Sequence, residues 1–146
     1  MTWTLPEPIL TSPVAVPNLP PGAAAEPKWD GYRAQLARCP GGRVLLLRSR
    51  QGTDMTAAFP EVREAALAQL PGDTGLDGEL VVWEDGRLAC ERLQQRLARR
   101  RGDGALAAAY TWPAHLVVFD LLRLEGTGLT PRLYRERRTA LEALFR

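Results

Sequence analysis

The chain has 146 residues, of which 45% are hydrophobic and 25% charged, and these ordinary values exclude a disordered chain and predict one globular domain. A formal net charge of +2 excludes attachment to nucleic acid through bulk positive charge alone. Two distant cysteines and one histidine exclude a zinc site, and without a long apolar run we expect no membrane contact and a reducing, cytoplasmic location.

Residues 1–22 are predicted to form a proline-rich leader, because they hold six of the twelve prolines. Proline has a fixed φ and no backbone N–H, so this segment should be extended and non-helical. Five apolar residues are expected to anchor the leader on residues 23–146, namely Trp3, Ile9, Leu10, Val14 and Val16.

The remainder of the chain mixes hairpin and helix signals. Alternating or β-branched stretches predict strands at 23–29, 32–38, 43–50, 76–83 and 115–124, the last of them buried. Apolar spacing predicts helices at 59–70, 91–101 and 134–145, with a stop after the second at 102–104. Hairpins interleaved with helices predict an α+β fold with mostly antiparallel sheets.

Arginines cluster at Arg96 with 99–101 and again at 132–138. Each cluster by itself is interpreted as the solvated face of a helix.

Lys28 is the only lysine among 19 Lys and Arg residues. A lysine amine can lose its proton and act as a nucleophile, which an arginine guanidinium in a protein cannot do. Chance survival of one lysine in an arginine-rich chain is the competing interpretation, and the neighbouring residues must decide between them.

The neighbours of Lys28 are Asp30, Gly31 and Arg33, so a carboxylate, a glycine that permits close backbone approach and a guanidinium lie within six residues. If Lys28 ends a strand and Asp30 begins a turn, both side chains share one face while Arg33 returns along the next strand. Such a set suits a nucleotide α-phosphate held beside a nucleophilic amine.

The stretch EPKWDGYRA, residues 26–34, resembles the nucleotidyl-transfer motif of ATP-dependent DNA ligases, in which the lysine attacks the α-phosphate of ATP and becomes a lysyl-AMP intermediate. Three companion segments resemble further ligase segments and follow in the family's order, SRQGTDMTAAFPE at 49–61, LDGELVVW at 76–83 and VVFDLL at 117–122. Four motifs in order make the resemblance specific.

The resemblance implies a role for each matching residue. Lys28 is the catalytic nucleophile, Arg50 contacts phosphate, and Glu79 serves the ribose and the metal. Phe119 stacks on adenine, and Glu26 accepts a hydrogen bond from the exocyclic amine of adenine. Asp30, Gly31 and Arg33 complete the nucleotide site.

At the level of the whole chain, the resemblance implies ATP and Mg²⁺ as cofactors, nicked DNA as substrate, and a place in DNA repair, recombination or replication. It implies that residues 23–146 are a ligase-type, ATP-grasp-like adenylation domain that is incomplete at its C-terminus and lacks an OB-fold. The chain would then be either a truncated gene product or one half of a split ligase, in which a second polypeptide supplies the missing strands, including the paired lysines of the family.

Simpler interpretations exist for each companion residue. Glu26 is a surface acid, Arg50 the end of a strand, the segment 77–79 a bulge beside a solvent-facing acid, and Phe119 a core aromatic. Two other functions also stay open, a non-catalytic nucleotide- or DNA-binding remnant and an RNA ligase or capping-type nucleotidyltransferase.

Overall fold

A computed structural model describes residues 3–48, 51–99 and 102–146. Its helices and strands in chain order are β1 Tyr32–Arg38, β2 Val44–Arg48, β3 Thr53–Asp54, α1 Pro60–Gln69, β4 Thr74–Glu84, β5 Arg87–Leu88, α2 Cys90–Ala98, α3 Gly102–Thr111, β6 Ala114–Leu124, β7 Thr127–Gly128 and α4 Tyr134–Leu144.

The strands of the described ranges form a sheet in the order β3-β2-β1-β4-β6-β7, with β5 added to β4. Every pairing is antiparallel. Helices α1 and α4 pack on this sheet and contribute Val62, Ala66 and Leu141 to the core. The predicted α+β class with antiparallel pairing is confirmed, and so are three predicted helices and the strands corresponding to β1, β2, β4 and β6.

The two faces of the sheet differ in chemistry because side chains alternate along a strand. Ala34 and Leu36 of β1 point into the main core. Arg33 and Gln35 point to the opposite face, where they lie across from Glu79 and Asp77 of β4. This polar face carries the candidate site.

The predicted strand at 23–29 is wrong, because no residue from 23 to 29 lies in a strand. Strand β1 is already paired on both sides, with β2 and β4, so the preceding segment finds no free edge beside it. Pro27 also lacks the N–H that a ladder requires.

Helix α2 ends before 102–104, as predicted, but these residues also begin a further helix, α3, that was not predicted. Gly102 turns the chain with a φ of 55°, and Asp103 then occupies the first turn, where a negative charge suits the helix dipole. The alanine-rich run after Gly104 has the highest helix propensity in the chain and was the signal for this helix.

Arg96 contradicts the interpretation of its cluster as a solvated face, since its side chain is 0% exposed. It donates to both carboxylate oxygens of Glu61, at 2.7 and 2.9 Å, and to the carbonyl oxygens of Ala58 and Trp112, both at 2.7 Å. Its guanidinium also stacks on Phe59, with 4.6 Å to the ring centroid. Arg96 therefore joins α2 to α1 and to the end of α3.

Residues 3–22 of the leader are non-helical, as predicted, and lie in no strand. Trp3 anchors it, because the indole fills the space beside Gly75 and stacks with Arg123, 5.1 Å from ring centroid to guanidinium. The other four expected anchors are instead largely exposed, namely Ile9, Leu10, Val14 and Val16.

Strand β6 was predicted to be buried, yet residues 116–120 are only half-buried. The reason is that clefts open on both sides of this strand. Within β6 only Ala114, Leu121 and Leu122 are buried.

Candidate functional site

The polar face is organised around the Arg33 guanidinium. Arg33 makes a two-pronged ion pair with Asp77, with Nε–Oδ1 at 3.2 Å and Nη2–Oδ2 at 2.8 Å. Its remaining nitrogen Nη1 donates to the carbonyl oxygen of Ile9 in the leader. Asp77 is only 4% exposed, so this pair holds Arg33 in one orientation.

Glu79 lies directly opposite Arg33 in the β1–β4 register. Burial raises the pKa of the Glu79 carboxyl above its ordinary value. The positive charges of Lys28 and Arg33 and a backbone hydrogen bond from Gly31 act in the opposite direction. Lys28, which is exposed, therefore lies within electrostatic reach of a half-buried carboxyl.

Gly31 brings the turn after Lys28 against β4. A Cβ at this position would lie 2.1 Å from the carbonyl oxygen of Leu80 and 3.0 Å from a methyl group of Val81. Only glycine allows that approach, and the approach is what lets the Gly31 N–H reach Glu79. Close backbone contact was predicted here, and its partner is the neighbouring strand.

Phe119 owes its position to an irregularity between β4 and β6. Asp77 pairs with Asp120 and Gly78 with Val118, which leaves Phe119 as an extra residue on β6. Such a bulge redirects a side chain. The Phe119 ring lies 5.5 Å from the Arg33 guanidinium, next to the Arg33–Asp77 pair.

A cleft of about 370 Å³ is lined in part by Phe119. It lies between the extended segment 24–29, strand β6 and helix α4. Phe119 and Val117 form its wall on the sheet side, and Glu26 and Trp29 form the wall on the side of the extended segment. A flat aromatic wall beside an acidic acceptor suits a heterocyclic base with an amino group.

Glu26 is held by helix α4. Tyr134 donates its hydroxyl hydrogen to Oε1 of Glu26, and Nη1 of Arg138 lies 3.3 Å from the same oxygen. Burial, followed by the hydrogen bond to Glu26, raises the pKa of the Tyr134 phenol above its ordinary value.

The predicted residues thus fall into two adjoining groups. Lys28, Gly31, Arg33 and Glu79 surround the β1–β4 face, and Glu26 and Phe119 face each other across the cleft. Asp30 is exposed, and Arg50 lies outside the described residues. The predicted shared strand face of Lys28 and Asp30 is wrong, because that segment is not a strand.

Three contributing residues were missed in the sequence, namely Asp77, Tyr134 and Arg138. Asp77 had a signal, since it stands two residues before Glu79 and therefore on the same face of β4. Tyr134 and Arg138 had none, because nothing local connects α4 to a segment more than 100 residues earlier.

The described ranges, 3–48, 51–99 and 102–146, lack two further kinds of site or segment. They contain no group of three or more His, Cys, Asp or Glu side chains placed to hold a metal ion. None of their helices is long and apolar enough to cross a membrane.

Comparison with known proteins adds a family match. Residues 8–146 match the model of the ATP dependent DNA ligase domain. Among curated proteins, DNA ligase C2 of Mycolicibacterium smegmatis is 44% identical over 128 residues, which cover 88% of this chain and 35% of that protein. A probable DNA ligase of Opitutus terrae is 46% identical over 121 residues, which cover 82% of this chain and 12% of that protein.

A solved structure shows the same likeness in three dimensions. A mycobacterial DNA ligase D complexed with ATP and MES superposes with a TM-score of 0.62 at 35% identity, and the match covers 82% of this chain and 36% of that chain. The chain therefore spans about a third or less of the length of these three proteins.

Proposed function

The chain belongs to the family of ATP-dependent DNA ligase domains, and on this premise we propose that it carries the lysine-adenylation site of a DNA ligase. The observation that supports this most directly is the placement of Lys28 beside Glu79 and Arg33, next to a cleft walled by Phe119 and Glu26. A reactive amine, a positive charge that could bind phosphate and a cleft that could hold a base therefore lie next to one another.

In the proposed step, the neutral amine of Lys28 attacks the α-phosphorus of ATP. A nitrogen–phosphorus bond forms, the bond from the α-phosphorus to the bridging oxygen breaks, and pyrophosphate leaves with the electron pair. The proton lost by the amine passes to solvent, since Lys28 is exposed. The AMP group would then move to the 5′-phosphate of nicked DNA before the 3′-hydroxyl attacks.

Adenine would occupy the cleft, stacked on Phe119, with its exocyclic amine donating to Glu26. This pose leaves the phosphates towards the Arg33 side of Phe119. It accounts for the spatial order of the two groups of residues and requires no rearrangement of the sheet.

Mg²⁺ fits the residues present. Mg²⁺ at phosphate-transfer sites is held by one or two carboxylates together with substrate oxygens, so Glu79 suffices as the protein ligand. The ion would neutralise phosphate charge. Because burial favours the protonated form of Glu79, its ionisation and the arrival of a cation are linked.

A second candidate function is nucleotide binding without turnover. The Arg33 guanidinium is already engaged by Asp77 and by the Ile9 carbonyl, which leaves less of it for phosphate. This candidate predicts ATP affinity that survives loss of Lys28.

We also propose that a further polypeptide segment completes the site, either in a longer chain or as a second protein. Residues 114–122 of β6 have β4 on one side and no described strand on the other. An apolar cleft of about 230 Å³ adjoins them beside α1.

A cytoplasmic location also stays a prediction.

Mass spectrometry after incubation with ATP and Mg²⁺ tests the proposal. We expect one AMP per chain, located on Lys28, and none in Lys28→Arg or Lys28→Ala. A complete DNA ligase serves as the positive control. Failure to label Lys28 while that control labels would overturn adenylation by this chain, and retained ATP binding would then favour the second candidate. Sealing of nicked DNA rather than nicked RNA would distinguish the DNA ligase reading from the RNA ligase reading.

A further inference from the structure

Helix α4 approaches the base cleft through two side chains one turn apart. Tyr134 and Arg138 both line the cleft and both bind the same atom, Oε1 of Glu26. No described residue contacts the other oxygen, Oε2, by a hydrogen bond. Oε1 of Glu26 is therefore bound by α4, and Oε2 is available to a ligand.

The position of these two side chains is fixed by the rest of the helix. Arg137 makes a two-pronged ion pair with Asp120, at 2.8 and 2.9 Å, directly beside Phe119. Leu141 is buried in the core on the next turn. Arg138 is itself held from behind by Glu142, at 2.8 Å. One helix thus holds both Glu26 and Asp120, the chain neighbour of Phe119.

We propose that Tyr134 and Arg138 are positioning residues that give the cleft its preference for a purine carrying a 6-amino group. The inference rests on the proposed function, because it concerns the same cleft. By occupying Oε1, the two side chains fix the rotamer of Glu26. A carboxylate oxygen accepts hydrogen bonds, so Oε2 favours an amino group and repels a 6-oxo group.

The contribution should appear mainly in the nucleotide complex. The side chains of Glu26 and Arg138 are 34% and 43% exposed, and ion pairs at that exposure contribute little in a free protein. A base that fills the cleft excludes water from Glu26. The contacts that hold the carboxylate then strengthen, because the local dielectric falls.

The test compares binding of ATP with binding of purine-riboside triphosphate, which lacks only the 6-amino group. Calorimetry of the chain gives the ratio of the two dissociation constants. We expect a preference for ATP of about tenfold, the value of one hydrogen bond to a charged group. Glu26→Gln should remove most of it, and Tyr134→Phe and Arg138→Gln should each lower the ratio about threefold or more.

Arg135→Gln is the matched control, because Arg135 is an exposed arginine on the same helix that does not line the cleft. It should leave the ratio unchanged. A ratio that stays at the wild-type value in both Tyr134→Phe and Arg138→Gln would overturn the inference. Circular dichroism and the thermal unfolding midpoint check that each variant is folded.

The outcomes separate this inference from the proposed function. If Lys28 is adenylated and the ratio does not respond, the inference fails alone. If the ratio responds and Lys28 is never labelled, selective binding stands and the catalytic proposal fails. If the wild-type chain does not bind ATP, both fail.

Discussion

Arg33 and Glu79 are direct cross-strand partners, yet the Arg33 guanidinium bonds to Asp77 and leaves the Glu79 carboxylate to a backbone N–H. The pairing is diagonal because Arg33 reaches along the face of β4 to Asp77. Asp77 is buried, so leaving its charge unpaired would cost the most free energy. Glu79 is thereby left as a half-buried carboxyl beside Lys28, available to a cation or a ribose.

Glu79→Gln tests that availability. Removal of the charge should lower Mg²⁺-dependent adenylation of Lys28 by about 100-fold, on the scale of a lost transition-state contact of about 2.7 kcal/mol. Adenylation is followed by mass spectrometry over a Mg²⁺ series. Glu64→Gln, at an exposed position on α1, is the control and should change little.

The pH dependence of the same site has a defined sign. The pKa of Glu79 is raised in the folded chain, so its carboxylate is lost on acidification at a higher pH than in an exposed glutamate. Mg²⁺-dependent adenylation should therefore fall as pH drops through this raised value. Ionisation of Glu79 also opposes folding as pH rises above its ordinary value of 4.5.

Because ionised Glu79 opposes folding, Glu79→Gln should affect the unfolding temperature and the activity in different ways. Near neutral pH the variant should unfold at the same temperature as the wild type or at a higher one, while adenylation collapses. A thermal midpoint that drops together with activity would contradict the assignment, because it would show a structural role for the charge.

Phe119→Leu tests the stacking wall. Loss of one base–aromatic stack costs about 1–3 kcal/mol, so the dissociation constant for ATP should rise by roughly 5- to 150-fold. Trp83→Leu is a suitable control, since Trp83 is an exposed aromatic outside the cleft. Equal affinity in Phe119→Leu and in the wild type would mean that the base lies elsewhere.

Much of this architecture could be predicted from the sequence because local patterns determine it. The turn at Asp85 and Gly86, both with positive φ, joins β4 to β5 as the Asp-Gly pair indicates. The residues around Lys28 led to Gly31 and Arg33, and the segment LDGELVVW led to Glu79; the structure brings the three together across β1 and β4.

The remainder depends on contacts distant in sequence. Burial of Arg96 is invisible locally, because it requires Glu61 and the carbonyl of Trp112 to converge on α2. The bulge at Phe119 appears only when β6 is paired with β4. The segment before β1 has strand-like composition, yet β1 is already paired on both sides, with β2 and β4.

Arg96→Met tests the buried ion pair. The change leaves the Glu61 carboxylate without its charged partner, and breaking a buried pair in this way costs about 3–5 kcal/mol. Denaturant unfolding measures the loss. Arg63→Gln, which removes an exposed ion pair with Glu64 on α1, should cost less than about 1 kcal/mol.

Trp3 anchors the leader through its contacts with Gly75 and Arg123. A Cβ on Gly75 would lie 2.3 Å from the Trp3 ring, so Gly75→Ala should expel the indole from its position beside Arg123. Trp3→Ala should release the leader directly. Both variants should speed proteolytic cleavage within residues 4–22 relative to wild type, because released chain is the substrate of proteases.

A double variant tests whether the contact between Trp3 and Gly75 is what anchors the leader. In a Trp3→Ala background the alanine at position 75 meets no ring, so the double variant should be cleaved no faster than Trp3→Ala alone. Ile9→Ala is the control, because that side chain is 80% exposed and only its backbone carbonyl binds Arg33. Additive effects of the two substitutions would place the leader anchor somewhere other than Trp3.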